Sequence, residues 1–301
     1  MREIASERYR DLTSPTLLDL RDRLVASKAE LTRIMRRRRD LEVESRKLER
    51  DLRKADTWTG RLRASLGFPV DVASIETQQR EVLFELALGD ERVEDLHRES
   101  RIEYDDTARA WMAHVGPAFD QLARCQKIWD VTHDGGGVHY KSSAAQTIDR
   151  RPVWLRRGRL PQLHPDAESL CFGNANGPDL HLLPSMIALV DRETDGVPLS
   201  EIALIRFADC TVSVTPTAFQ ETEGVPSDAT VSGHTWRHVN KDGRPDRRFN
   251  PNPRIPVCTY GTIVFESATG LHEEYMFSDV HATIAFAETI QGAARVVNDQ
   301  S

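Results

Sequence analysis

The sequence predicts an α+β protein. A long N-terminal antiparallel helical hairpin of coiled-coil type precedes a small antiparallel β-barrel with a C-terminal helix. Three observations predict this. Apolar residues recur every three and four positions from residue 17 to 55. A glycine run, Gly135-Gly136-Gly137, closes the helical half. Beyond residue 167 the period falls to two, with turn residues between short runs rich in Val, Ile and Thr.

The first helix keeps one frame at twelve positions: Leu17, Leu20, Leu24, Ser27, Leu31, Ile34, Arg38, Leu41, Ser45, Leu48, Leu52 and Ala55. A 3.5-residue apolar repeat buries a narrow seam against another helix. At ~1.5 Å per residue the rod is roughly 60 Å long. That length suits a spacer, a dimer handle or a docking surface, not the wall of a pocket. Thr13-Ser14-Pro15 offers cap residues and a first-turn proline.

After a break at Gly67-Phe68-Pro69 a second frame runs through Ile75, Gln79, Val82, Leu86, Gly89, Val93 and Leu96. It slips by four near Ser100, a stutter. It resumes at Tyr104, Ala108, Trp111, Val115, Ala118, Leu122, Cys125 and Trp129, with a kink expected at Gly116-Pro117. Residues 1–66 hold 18 Lys/Arg against 12 Asp/Glu, and residues 71–130 hold 7 against 14. Opposite signs on neighbouring helices favour their pairing. Residues 1–133 therefore read as one helical hairpin.

Arg33 and the run Arg36-Arg37-Arg38-Arg39 are candidate contacts for phosphate or an acidic partner. The plainer account is a solvated face paired with the acidic second helix, because four consecutive residues point around the whole helix.

Residues 134–166 read as a linker, with prolines at 152, 161 and 165 and one short strand at 153–155. His164-Pro165-Asp166 matches the tripeptide of J-domains by chance, since it lacks the flanking helices such a domain needs.

The barrel domain spans 167–301. Strands are expected at 169–172, 179–183, 186–190, 203–207, 211–214, 255–267 and 271–277, with an acidic turn at 192–196. Asp279 opens a helix over 279–297 with Val280, Ile284, Phe286, Ala287 and Ile290 on its apolar face. The run LHLLPSMIALVDRETDGVPLSEIALIRF, the strand pair TIVFESATGLHEEYMFS and the final helix resemble pleckstrin-homology-like domains of uncharacterised bacterial proteins. The resemblance covers about residues 168–291. It implies a barrel that binds peptides, proteins or lipids and does not catalyse. The chain departs from it by a long insertion, 216–254.

That insertion carries the most unusual chemistry. A strand at 230–239 places His234, Trp236 and His238 on alternate positions. Asn240-Lys241-Asp242-Gly243 makes a turn. Arg247, Arg248 and Phe249 follow, and with Trp236 they form the candidate binding set, because arginine beside aromatics is common in hot spots. The alternative is an ordered loop with Trp236 packed as core.

No catalytic residue, metal ligand set or cofactor motif is expected. GxGxxG, GKS/GKT and GxSxG are all absent. Pro178-Asp179 and Pro245-Asp246 could each open a nuclease motif, but no acid-x-Lys step follows. His234 and His238 are ~13 Å apart along a strand, too far to share a metal. The net charge of -7 opposes bulk attraction to nucleic acid or anionic lipid. The four cysteines, Cys125, Cys171, Cys210 and Cys258, lack CxxC spacing and suit a reducing cytoplasm. No secretory signal or membrane span is expected. The sequence thus points to a cytoplasmic, bacterial, non-enzymatic adaptor. Its hairpin oligomerises or docks, and its barrel binds a protein partner. A nucleic-acid-binding accessory factor and an enzyme of unrecognised type are the alternatives.

Overall fold

The computed structural model describes residues 2–3, 9–57, 61–62, 65–67, 71–99, 106–134, 148–160, 168–191, 202–240 and 242–298. Several expectations fall outside these residues: Phe68-Pro69, the stutter and Tyr104, the glycine run, the 192–196 turn, Lys241 and the His164-Pro165-Asp166 tripeptide. The chain divides into two compact units. One comprises residues 1–22, 103–161 and 166–301, and the other residues 23–102 with 162–165.

In chain order the elements are β1 (Arg2–Glu3), α1 (Tyr9–Leu12), a 3-10 turn (Pro15–Leu17), α2 (Leu18–Asp56), α3 (Val72–Glu99), α4 (Asp106–Leu122), β2 (Ile128–Asp134), β3 (Ile148–Pro152) and β4 (Leu155–Arg159). There follow β5 (Glu168–Phe172), β6 (Asp179–Leu182), β7 (Met186–Val190), β8 (Ile202–Arg206), β9 (Cys210–Gln220), β10 (Thr230–Trp236), β11 (Arg254–Ser267), β12 (His272–Phe277) and α5 (Val280–Asn298).

Helices α2 and α3 form the hairpin. All twelve positions of the first heptad frame are buried or half-buried, as are all seven of the second. Leu41, Leu48 and Val82 make the buried seam, with Ile75 and Leu86 packed against it. The pairs Arg37–Glu85 at 2.7 Å, Arg38–Asp90 at 3.1 Å and Arg92–Glu30 at 2.8 Å fix an antiparallel register.

The strand-rich unit holds two antiparallel sheets. In the seven-stranded sheet, β11 is central. One edge pairs with β9 along residues 257–267. The other pairs first with β10 and then with β12. β12 pairs with β2, and β2 with β3 and β1. The second sheet is a five-stranded meander, β4 to β8. Phe172 of β5 is the hub of the main core, with ring centroids 5.2–6.0 Å from Tyr275, Phe265, Phe119 and Phe286. The final helix rests directly on a strand: a Cβ at Gly261 of β11 would collide with Thr283 of α5. Asp279 caps that helix, its Oδ1 accepting from the N–H groups of His281 and Ala282.

Four expectations are corrected. First, the sheets are open and do not close into a barrel. Second, the helical pattern at 104–129 does not extend the hairpin. α4 ends at Leu122, and Trp129 lies in β2. The apolar stripe Trp111, Val115, Phe119 and Leu122 packs into the strand-rich core; a heptad frame states which face is apolar, not what covers it. α4 also runs through Pro117, where a kink was expected. Third, the described part of the expected linker, residues 148–160, forms β3 and β4. Fourth, the expected insertion is built into the sheet, since residues 216–220 of β9 and β10, apart from a bulge at Ser232, pair with β11.

Thr13 and Ser14 also serve differently from the reading. Ser14 makes no side-chain cap bond. Its N–H donates to Leu204 O at 2.9 Å and its Oγ accepts from Arg206 N–H at 3.0 Å. Thr13 Oγ1 accepts from Leu204 N–H, and Arg21 Nε donates to Ile202 O. The segment covers the edge of β8, satisfying backbone groups that an edge strand otherwise leaves open.

Candidate functional site

On the hairpin, the basic run divides by position. Arg37 and Arg38 reach across to the acidic helix, as the plainer account held. Arg33, Arg36 and Arg39 are exposed and form no ion pair among the described residues. On α3, Glu81 and Glu91 are likewise exposed without an ion pair among the described residues. The hydrogen bond from Arg92 holds the Glu30 carboxyl below the usual carboxylate range, and that of Glu85 pushes the Arg37 guanidinium up. Apolar side chains sit outside too: Met35, Val43, Val72, Leu83, Phe84 and Leu88 are all exposed, Phe84 at 65 %.

In the strand-rich unit the candidate set is only partly assembled. The loop after β10 folds around Asp246 and Asn252. Asn252 Oδ1 accepts from His238 N–H at 3.0 Å, and its amide donates back to His238 O at 2.7 Å. Asp246 is buried and binds Arg248 through both side-chain and backbone N–H groups, at 2.6–3.1 Å. Those bonds pull its carboxyl down to about 2. Phe249 stacks on His238, centroids 3.8 Å apart. Trp236 lies under Arg254, 6.0 Å from the guanidinium carbon. No hydrogen bond, ion pair or ring contact joins Trp236 to Arg247, Arg248 or Phe249. Arg247 is exposed with no ion pair among the described residues, and of the four it is the one whose charge is open to a partner.

Sequence reasoning missed two buried polar groups. Arg150 of β3 lies between the rings of Trp129 and Phe219, at 3.8 and 3.9 Å. Its Nη2 donates to Glu221 at 2.9 Å, and Tyr260 OH donates to the same carboxylate oxygen at 2.6 Å. The second group sits on β5 and β6. Ser169 Oγ lies 3.0 Å from His181 Nδ1, and Cys171 Sγ lies 3.6 Å from Nε2. Burial pushes the imidazole down to about 4, with Arg156 adding to the fall and Asp179 opposing it. The ring thus lies between the Ser169 hydroxyl and the Cys171 thiol in a buried polar trio. Burial also pushes the Cys125 and Cys210 thiols up to about 12. No spacing signals either group, because their members come together only through strand pairing.

The aspartates of the two Pro-Asp pairs are both hydrogen-bonded within the fold. Asp179 accepts from Asn174 N–H, and Asp246 is bound by Arg248. Among the described residues no group of three or more His, Cys, Asp or Glu is placed to hold a metal, and no helix is long and apolar enough to cross a membrane. No protein family, curated protein or solved structure matches the chain.

Proposed function

We propose that this is a non-enzymatic adaptor of the bacterial cytoplasm. Its hairpin assembles the protein into a larger body, and the loop between β10 and β11 recognises a protein partner. One observation carries the reading. Of the twelve large apolar side chains exposed among the described residues, eight lie between residues 35 and 88. Exposed apolar area at that density marks an interaction surface. The pleckstrin-homology-like reading of residues 168–291 belongs to the same proposal. Antiparallel sheets and a final helix support it, while the open sheets and the strands donated by residues 128–159 are departures. A nucleic-acid accessory role is the second reading, favoured by the exposed Arg33, Arg36 and Arg39, which form no ion pair among the described residues; a steep loss of DNA binding with salt is its signature.

The test is affinity capture from host extract with the full chain and two single variants. Arg247→Ala is expected to keep the melting temperature and lose the captured protein, because its charge faces solvent. Arg248→Ala is expected to lower the melting temperature by a few degrees, because it strips Asp246 of its cation. If Arg247→Ala retains the partner at unchanged stability, the loop is not the recognition element.

A further inference from the structure

The hairpin buries one face of each helix and leaves apolar side chains among the charges of the opposite face. Phe84 lies about 200° around α3 from Val82, and Leu88 lies one turn beyond Phe84, at about 3.6 residues per turn. Leu83 and Ala87 adjoin them, both exposed. On α2, Val43 lies about 200° from Leu41 by the same geometry, and Met35, about two turns earlier, is also exposed. The seam buries Leu24, Leu41, Leu48, Val82 and Leu96, and helices of 39 and 28 residues still leave Val43, Phe84 and Leu88 outside it.

The two helices carry net charges of opposite sign. α2 holds 13 Lys/Arg against 9 Asp/Glu, and α3 holds 3 against 8. With Arg37, Arg38 and Arg92 spent inside the hairpin, Arg36 and Arg39 stand on the outer side of α2. Glu81 and Glu91 stand on the outer side of α3.

We infer that the outer face is covered by the hairpin of a second copy of this chain. α3 of each copy lies on α2 of the other, giving a two-fold four-helix bundle. The inference rests on the assembly role proposed above for the hairpin and names its occupant. Charge selects the arrangement. Packing α3 on α3 sets Glu81 and Glu91 against their own copies, and packing α2 on α2 does the same with arginines. Only the crossed arrangement puts Arg36 and Arg39 beside Glu81 and Glu91, and a two-fold axis makes that contact twice. Phe84, Leu88 and Val43 then enter a core of the kind four-helix bundles build from facing helices.

Sedimentation of the full chain at micromolar concentration tests it. The wild type is expected to run as a dimer. Phe84→Glu with Leu88→Glu is expected to run as a monomer with unchanged helical circular dichroism, because both sites are exposed within one copy. Arg36→Glu with Arg39→Glu, and separately Glu81→Arg with Glu91→Arg, should each weaken self-association at least tenfold, the equivalent of ~1.4 kcal/mol. Mixing the two charge-reversed chains should restore the dimer. A monomeric wild type overturns the inference, and so does a Phe84/Leu88 variant that stays dimeric or a mixture that stays monomeric. If the wild type is monomeric while Arg247→Ala still loses the captured protein, the adaptor reading stands and only the second copy fails. If the monomer binds DNA with a steep salt slope, the face belongs to phosphate instead.

Discussion

Arg37 and Arg150 each pair with a glutamate at less than 3 Å, at 2.7 and 2.9 Å. The two pairs differ in everything else. The Arg37–Glu85 side chains are 57 % and 50 % exposed, while those of Arg150 and Glu221 are 8 % and 1 % exposed. In the hairpin, these charge pairs lie at the surface, join the two helices, and are screened by water. In the strand-rich unit, charge is drawn into the interior and enclosed by Trp129, Phe219 and Tyr260. The hairpin keeps Arg37 and Glu85 at its surface, and the strand-rich unit encloses Arg150 and Glu221. Losing one member of the exposed pair leaves a solvated charge, whereas losing one member of the enclosed pair leaves a buried one.

The sharpest break in that contrast is Arg150→Ala. It leaves the Glu221 carboxylate buried without its cation, which costs about 3–5 kcal/mol for a pair of this kind. Burial pushes the Glu221 carboxyl up, but hydrogen bonds from Tyr260, Arg150 and the Glu223 N–H outweigh it and hold it below the usual range. The pair's contribution is therefore complete above the ordinary carboxylate pKa and lost as pH falls through the lowered one. Chemical denaturation of the variant at neutral pH measures the cost. Arg150→Met with Glu221→Gln should regain most of it, since no lone charge is then buried. A single variant as stable as the wild type would show that the pair is not what closes this cluster.

Leu41→Asp is the matching test in the hairpin. Leu41 is 3 % exposed in the seam beside Leu48 and Val82. A carboxylate there should cost on the order of 3 kcal/mol. The loss should appear as lower helical circular dichroism, with the near-ultraviolet signal of the Phe172 core retained, because the two units have separate cores. Simultaneous loss of both signals would mean that the units do not melt independently.

What the sequence revealed follows the same division. A heptad frame is local: each member of the seam is three or four residues from the next, so residues 17–55 and 75–96 declare their buried faces without knowledge of the rest. Met186–Val190 was legible for a similar reason, as a short β-branched and apolar run bounded by Pro184-Ser185 and Asp191. Ile128–Asp134 was not, because its tryptophan falls on the preceding helical frame and only pairing with β12 and β3 makes it a strand. Thr13 and Ser14 look like caps until the edge of β8 claims them. Arg150, Glu221 and Tyr260 are separated by 71 and 39 residues and share no motif. Asp246 and Arg248 are two residues apart, yet only the fold shows that Arg248 is held by a buried carboxylate while Arg247 is open.

The smallest effect concerns His181 and tests how far the strand-rich unit's interior polarity is structural. The imidazole sits at about 4 in the folded chain because burial opposes its charge, against about 6.5 when unfolded. The unfolded chain thus binds a proton through that interval and the folded chain does not. Stability is complete above the unfolded value and falls as pH drops toward the folded one, by roughly 2 kcal/mol between pH 7 and pH 5 from this group alone. Asp179 and Arg156 are the charged groups that act on the ring, and Ser169 and Cys171 are its neutral neighbours. His181→Gln removes the titration and can still bond Ser169, so its stability should be flatter over that range even if its maximum is lower. Denaturant midpoints at the two pH values, wild type against variant, give the difference directly. Equal slopes would mean that the ring is protonated in place, and the Ser169–His181–Cys171 trio would then hold a charge that only an acidic or thiolate neighbour could balance.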